Sequence, residues 1–178
     1  TQEADRIVEQ FTAAAGGAPE VVVNNAGIMP PRRSLADLTT DQFTATLHLN
    51  LMAPFAVAKA AAQHMTTGAI VNIASLGGLQ IWHERIDYNV SKSALITLTK
   101  ALARDLAQRG ITVNAVAPGA IKVNDEGAER IGISEEKIPM GHYGTPTDVA
   151  RAVLYLALDA PYVTGQCLTV DGGRSVTG

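Results

Sequence analysis

A tyrosine and a lysine stand four positions apart in the segment YNVSK, at Tyr88 and Lys92. Apolar residues recur around them at helical spacing, so the two side chains are expected on one face of a helix. A phenol with a pKa of about 10 is a poor base at neutral pH, and a nearby ammonium lowers that pKa. Tyr88 is therefore a candidate acid and base for an alcohol or carbonyl oxygen. A solvated lysine below a core tyrosine is the alternative for the isolated motif.

Two further polar residues could complete this chemistry. Ser75 ends the apolar run AIVNIAS, thirteen residues before Tyr88, and its hydroxyl could hold the same substrate oxygen. Asn50 lies at a break in a long helical pattern, where its amide and the irregular backbone could fix a water beside Lys92. The simpler alternatives are a serine that only ends a strand and an asparagine that only breaks a helix.

Helical and strand patterns alternate along the chain. Thr40 and Thr145 are predicted to cap helices at their N-termini, and Gly110 is predicted to end one. The predicted elements are helix 3–14, strand 21–23, helix 41–66 interrupted near Asn50 and Pro54, strand 69–75, helix 88–108, strand 111–119, helix 146–158 and a final strand and turn over 164–173.

The strand patterns are runs of Val, Ile and Ala rather than strict alternations. Such runs are typical of a parallel sheet covered by helices on both faces. We therefore predict an α/β fold with three layers in a single domain, residues 1–178. Ligands of such sheets bind beyond the carboxyl ends of the strands, where Asn24, Ser75 and Pro118 stand.

Six segments, taken in order, resemble the short-chain dehydrogenase/reductase family: NNAG (24–27), HLNLMAPF around Asn50, IVNIAS, YNVSK, VNAVAPG and YVTGQCLTVDGG. The agreement runs from about residue 5 to residue 173. The resemblance implies a Rossmann-like three-layer αβα fold and a hydride transfer between NAD or NADP and a secondary alcohol or ketone.

The resemblance also implies a catalytic tetrad. Tyr88 would be the general acid and base, and Ser75 would orient and polarise the reacting carbonyl. Lys92 would lower the pKa of Tyr88 and bind the nicotinamide ribose. Asn50 would anchor a water that relays protons to solvent.

Further cofactor contacts follow from the same resemblance. The segment Asn24, Asn25, Ala26 and Gly27 would support the sheet and contact the adenosine side. Pro118, Gly119 and the backbone of Ile121 would lie against the nicotinamide, together with Tyr88 and Lys92.

The sequence departs from the family pattern in two places. The resemblance implies an N-terminal βαβαβ part, with a Gly-rich phosphate-binding turn and the residue that selects NAD or NADP, which these 178 residues do not include; either they are a portion of a longer protein or the chain is truncated. We therefore expect weak dinucleotide binding by these residues alone and an exposed apolar edge at strand 20–24. Val123 stands where the family often has a threonine that bonds the nicotinamide carboxamide, which favours a second hypothesis, a non-catalytic binding module on the same scaffold.

Composition narrows the possible partners. The 178 residues carry a net charge of −3 and no basic run, which argues against nucleic acid and anionic membranes. Cys167 is the only cysteine, and the four histidines are scattered, so no metal site is predicted. We expect a cytoplasmic homodimer or homotetramer, with helices 41–66 and 88–108 as interface surfaces. The expected substrate is a small alcohol or carbonyl compound, bound under a lid formed by residues 122–142.

Overall fold

The chain folds as alternating helices and parallel strands. The computed structural model describes residues 2–123 and 133–177. Its regular elements are α1 (Gln2–Ala15), β1 (Val21–Asn24), α2 (Thr40–Leu47), α3 (Ala53–His64), β2 (Gly68–Ile73), α4 (Ile86–Leu106), β3 (Ile111–Pro118), α5 (Pro146–Leu154) and β4 (Cys167–Val170). Two π-helical turns, His48–Met52 and Tyr155–Asp159, continue α2 and α5.

The four strands form one parallel sheet in the order β1-β2-β3-β4. Alternate residues of each strand face opposite sides, so Ile70 and Val113 pack under α1, α3 and α4. Val71 and Val116 pack on the other side against Leu156 of the second π-helical turn. Helices therefore cover both faces of the sheet, which confirms the predicted Rossmann-like α/β fold.

The capping signals place the helix ends to within a residue. Thr145 caps α5 as predicted, with its side chain accepting a hydrogen bond from the Asp148 N–H. The predicted cap Thr40 is wrong, because Thr39 has the extended backbone of a cap and accepts from the Gln42 N–H. The reciprocal bond from the Thr39 N–H to the Gln42 side chain completes a capping box. Gly110 follows the last turn after α4 with a φ of 68°, as a helix-ending glycine does.

The interruption predicted in helix 41–66 is a π-helical turn that includes Asn50. Pro54 follows it in the first turn of α3, where its missing N–H leaves no hydrogen bond unmade. The predicted strand 69–75 is too long, because β2 ends at Ile73. Ser75 therefore lies two residues beyond its strand. The strand within the predicted strand and turn 164–173 is β4, Cys167–Val170.

Candidate active site

Helix α4 brings Tyr88 and Lys92 to the carboxyl ends of β2 and β3. The Lys92 ammonium donates a hydrogen bond of 2.8 Å to the carbonyl oxygen of Ile73, the last residue of β2. It lies 6.0 Å from the centroid of the Tyr88 ring. Both side chains are buried, with exposed fractions of 8% for Tyr88 and 5% for Lys92. The predicted placement of the pair on one helix face is therefore what the structure has.

Burial sets the protonation of this pair. Removal from water raises the pKa of Tyr88, and a hydrogen bond to the Ser75 side chain and the charge of Arg85 oppose that rise without cancelling it. Burial also lowers the pKa of Lys92 to about 8. The predicted decrease in the pKa of Tyr88 is wrong, because desolvation of the phenolate outweighs the favourable charges around it.

Ser75 reaches Tyr88 from a short 3₁₀ turn rather than from the strand itself. Its hydroxyl oxygen accepts a hydrogen bond of 3.1 Å from the Gly77 N–H and so caps the turn Leu76–Gly78. A Cβ atom on Gly77 would lie 3.1 Å from both the Tyr88 ring and the Trp82 ring. Glycine at this position therefore allows the Ser75 turn to pack directly against the phenol.

Asn50 joins the loop after β1 to helix α4. Its Oδ1 accepts a hydrogen bond of 2.8 Å from the Ile28 N–H, and its Nδ2 donates to the Ile28 carbonyl at 2.9 Å and to the Ser91 hydroxyl at 3.0 Å. The Ser91 hydroxyl in turn donates to the Tyr88 carbonyl at 2.8 Å. Both N–H donors of the amide and one acceptor position of its oxygen are therefore engaged within the protein.

The segment after β1 lies open beside these groups. A Cβ atom on Gly27 would be 3.1 Å from Asn50 Oδ1 and 3.4 Å from Lys92 Nζ, so glycine at this position lets the loop backbone approach both groups closely. Asn25, Ala26 and Gly27 are exposed. Asn24, by contrast, is buried and donates to the Asn72 side chain at 2.8 Å within the sheet.

The segment after β3 forms the opposite side of the candidate site. The Gly119 N–H donates to the Val170 carbonyl at 2.9 Å, and a Cβ atom on Gly119 would lie 2.7 Å from Asp171. Ile121 forms a bridge with Gly144, and the two hydrogen bonds of that bridge use the backbone of Ala120 and Lys122. Neither bond uses the N–H or C=O of Ile121.

Part of the predicted lid can be placed. The side chain of Val123 is 74% exposed. Residues 124–132 of the predicted lid lie outside the described residues.

Two neighbours of the candidate tetrad are not among the predicted site residues. Ser91, inside the YNVSK motif, bonds both Asn50 and Tyr88. The Trp82 ring stacks on the Tyr88 ring, with centroids 6.0 Å apart and planes inclined by 19°. The position of Ser91 one residue before Lys92 was the available signal, because it places the hydroxyl on the helix face beside the pair.

Residues 2–123 and 133–177 lack two features, a membrane-spanning helix and a metal-binding cluster. No helix in this part of the chain is both long and apolar enough to cross a bilayer. The same residues contain no cluster of three or more His, Cys, Asp or Glu side chains placed to hold a metal ion.

Comparison with known proteins gives consistent matches. The family model described as enoyl-(acyl carrier protein) reductase matches residues 1–175. The chain is 43% identical over 162 residues to an uncharacterized short-chain type dehydrogenase/reductase of Sinorhizobium fredii, covering 86% of this chain and 30% of that protein. It is 39% identical over 183 residues to the 3-oxoacyl-[acyl-carrier-protein] reductase FabG of Rickettsia bellii, covering 97% of this chain and 72% of that protein.

A solved structure agrees with the fold as well as the sequence. ElxO with NADP bound superposes with a TM-score of 0.91 at 34% identity, over 99% of this chain and 75% of ElxO. The chain thus spans under a third of the first relative and about three quarters of the other two proteins. With the tetrad geometry, the family model and these relatives in agreement, the chain belongs to the short-chain dehydrogenase/reductase family.

Proposed function

We propose that this chain carries the acid–base half of an NAD(P)-dependent oxidoreductase that interconverts a secondary alcohol and a ketone. The observation that carries the proposal is the meeting of Ser75, Tyr88 and Lys92 at the carboxyl ends of β2 and β3. The binding of NADP by the related ElxO structure supports a nicotinamide cofactor.

The residues present fit the nicotinamide-ribose part of such a cofactor. An ammonium has three N–H donors, and among the described residues Lys92 uses one of them, on the Ile73 carbonyl. Gly27, which has no side chain, lies next to the Lys92 ammonium, since a Cβ atom there would be 3.4 Å from Nζ. Lys92 would therefore hold ribose hydroxyls, with Pro118, Gly119 and the backbone of Ile121 facing the ring and Asn25, Ala26 and Gly27 facing the adenosine side. The cofactor, when bound, supplies or accepts the hydride.

The protein groups handle the proton. Ser75 would hold the substrate oxygen through its hydroxyl, beside the Tyr88 phenol. Because burial raises the pKa of Tyr88, the phenol is protonated at neutral pH and suited to donate its proton to a carbonyl oxygen. Alcohol oxidation needs the reverse transfer, so we expect it to be favoured as the pH rises. Asn50 would support proton exchange with solvent through its irregular backbone.

Replacing Tyr88 with phenylalanine tests the proposal in the whole protein. The variant keeps the ring that packs on Trp82 and removes only the hydroxyl, so turnover should fall by about 10²–10⁴-fold while cofactor binding persists. A screen of secondary alcohols and ketones with NADH and NADPH measures the first quantity, and calorimetric titration measures the second. Turnover that survives in Y88F would contradict the proposal.

A binding module on the same scaffold is the second candidate function. The exposed, hydroxyl-free side chain of Val123 favours it. This hypothesis predicts dinucleotide or partner binding without turnover in the unaltered protein, and Y88F would then leave every measurable property nearly unchanged.

Self-association is the remaining proposal about partners. The π-helical turn that continues α2 and helix α4 each expose an apolar side chain that a second copy could cover, Met52 at 50% and Val90 at 43% exposure. We expect a homodimer or homotetramer in sedimentation experiments. Replacing Met52 and Val90 together with glutamate should shift the protein towards monomer, and an unchanged sedimentation coefficient would exclude these helices.

A further inference from the structure

A second buried contact joins the π-extended helix α2 to helix α4, one turn from the contact between Asn50 and Ser91. Thr46 and Asp87 are 1% and 4% exposed. The Thr46 hydroxyl donates to Asp87 Oδ2 at 2.8 Å, and Asp87 Oδ1 accepts from the N–H of Tyr88 at 2.9 Å. One carboxyl group therefore connects α2 directly to the backbone of the candidate acid–base residue.

The polar groups in this contact indicate that it orients the two helices rather than only holding them together. A buried carboxyl group costs more free energy than an apolar side chain of similar size unless its partners compensate. Asp87 has no ion pair within residues 2–123 and 133–177, and the contacts that hold it are the Thr46 hydroxyl and the Tyr88 N–H. An apolar pair would hold the two helices together equally well, but it would not fix their rotation.

The spacing of the two contacts links them to the site. Thr46 and Asn50 are four residues apart on one helix, and Asp87 and Ser91 are four apart on the other. Each contact, Thr46 with Asp87 and Asn50 with Ser91, joins residues that are 41 positions apart in the sequence. Both contacts therefore lie along one matched face of each helix.

Tyr88 and Lys92 are the residues that immediately follow Asp87 and Ser91. Each residue of an α-helix turns the direction of its side chain by about 100° relative to the one before. The face that carries Asp87 and Ser91 thus sets the direction in which the phenol and the ammonium point.

We propose that Thr46 and Asp87 are positioning residues for the acid–base reaction: together with Asn50 and Ser91 they fix the rotation of α4 that directs Tyr88 and Lys92 at the substrate oxygen. The inference rests on the proposed function for its catalytic consequence. Its structural part, the orientation of Tyr88, can be measured without turnover.

Thr46→Val tests it with little change of shape. The variant removes the hydroxyl, and Thr46→Ser restores it on a smaller side chain. In the whole protein kcat per folded molecule should fall about 10-fold in T46V, since small displacements of reacting groups are costly, and should largely recover in T46S. KM should change little, because the contact lies behind the site.

A matched control separates positioning from stability. Thr164 is a partly buried threonine whose hydroxyl accepts from the Val113 N–H at 3.0 Å, near the opposite end of β3. Thr164→Val should lower the melting temperature without lowering kcat per folded molecule. The double variant T46V/D87A should lose no more activity than D87A alone, because D87A already removes the contact that T46V removes.

Trp82 provides the readout that needs no turnover. It is the single tryptophan of the chain, it stacks on Tyr88, and its carbonyl accepts from the Asn89 side chain at 2.9 Å. Rotation of the first turn of α4 should expose it, so T46V should raise acrylamide quenching of its fluorescence, whereas T46S and T164V should not.

Two results would overturn the inference. One is T46V with unchanged Trp82 quenching; the other is T46V with kcat per folded molecule within about twofold of the unaltered protein, which leaves the contact as a stabilising one only. If the unaltered protein shows no turnover or Y88F does not lower it, the proposed function fails instead, and the Trp82 measurement alone decides the positioning of α4.

Discussion

The site end of α4 and the region of α1 and β1 differ sharply in how the chain holds them. Each tetrad side chain is at most 8% exposed. The α1–β1 region exposes large apolar side chains at 36–50%, namely Ile7, Phe11, Val21 and Val23.

The two regions differ in exposure because more chain segments pack together at the site than around α1 and β1. At the site, Lys92 bonds β2 and Asn50 bonds both the loop after β1 and α4. Strand β1, among the described residues, pairs with β2 alone. Small changes should therefore be costly where several segments share one set of hydrogen bonds and tolerated where one neighbour does the packing.

Gly78→Ala should show the largest loss of stability relative to its control in the α1–β1 region. A Cβ atom there would lie 2.7 Å from the carbonyl carbon and 2.8 Å from the carbonyl oxygen of Lys92, which are backbone atoms that cannot turn aside. We expect the free energy of unfolding to fall by about 3 kcal/mol or more, as measured by urea denaturation. Gly17→Ala is the control, because its Cβ would meet nothing within 4 Å. Equal stability of the two variants would contradict the comparison.

Asn50→Ala should have the next largest effect. The change leaves the backbone of Ile28 and the hydroxyl of Ser91 without their partner. The loss should be about 2–3 kcal/mol in the free energy of unfolding. Asn25→Ala, at an exposed position of the same loop, should change stability by no more than about 0.5 kcal/mol. A cost for N50A as small as that of N25A would show that the loop does not depend on the amide.

Lys92→Met should alter the pH dependence of stability. The pKa of Lys92 falls from 10.5 to about 8 on folding, so between these values the unfolded chain binds more protons, and stability rises with pH. The unaltered protein should gain about 2 kcal/mol relative to K92M between about pH 8 and pH 9.5. Below pH 10 the raised pKa of Tyr88 does not yet contribute.

Denaturation at a series of pH values measures this gain. Lys100→Met, at an exposed position of the same helix, serves as the control and should follow the unaltered protein. Parallel curves for K92M and the unaltered protein would mean that the ammonium is not desolvated in the folded state.

Val23→Lys should have the smallest effect on stability. The side chain is 44% exposed on β1, so the free energy of unfolding should change by about 0.5 kcal/mol or less. A lysine on an exposed strand should also reduce association between copies, as light scattering would show. Val22→Lys, one position along and packed against the core, should unfold the protein. Similar stability of both variants would mean that the two sides of β1 do not differ.

Much of this arrangement was predictable because its signals are local. The Val- and Ile-rich strands, the Thr145 cap and the ending at Gly110 depend on a few adjacent residues. The wrong prediction of Thr40 as a cap also has a local cause. Either of two adjacent threonines can cap the helix, and Thr39 is the cap because Gln42, three residues after it, completes the capping box.

The candidate site likewise has features that were predictable from local sequence and features that were not. The residue types and the four-residue spacing of Tyr88 and Lys92 are properties of the sequence, and they were enough to indicate an acid–base pair. The direction of the shift in the pKa of Tyr88 could not be predicted from the sequence, because it depends on how much water the packed chain excludes from the phenol. No local pattern measures that exclusion.

By itself, the sequence determined the alternation of helices and strands, the family resemblance and which residues are proposed as the tetrad. Only the tertiary structure decided that Ser75 caps a turn beside the phenol, that Trp82 stacks on Tyr88 and that Asp87 meets Thr46 across two helices. Backbone periodicity arises between neighbours in the chain. Burial, desolvation and interhelix hydrogen bonds arise between segments tens of residues apart, so they exist only once the chain has packed.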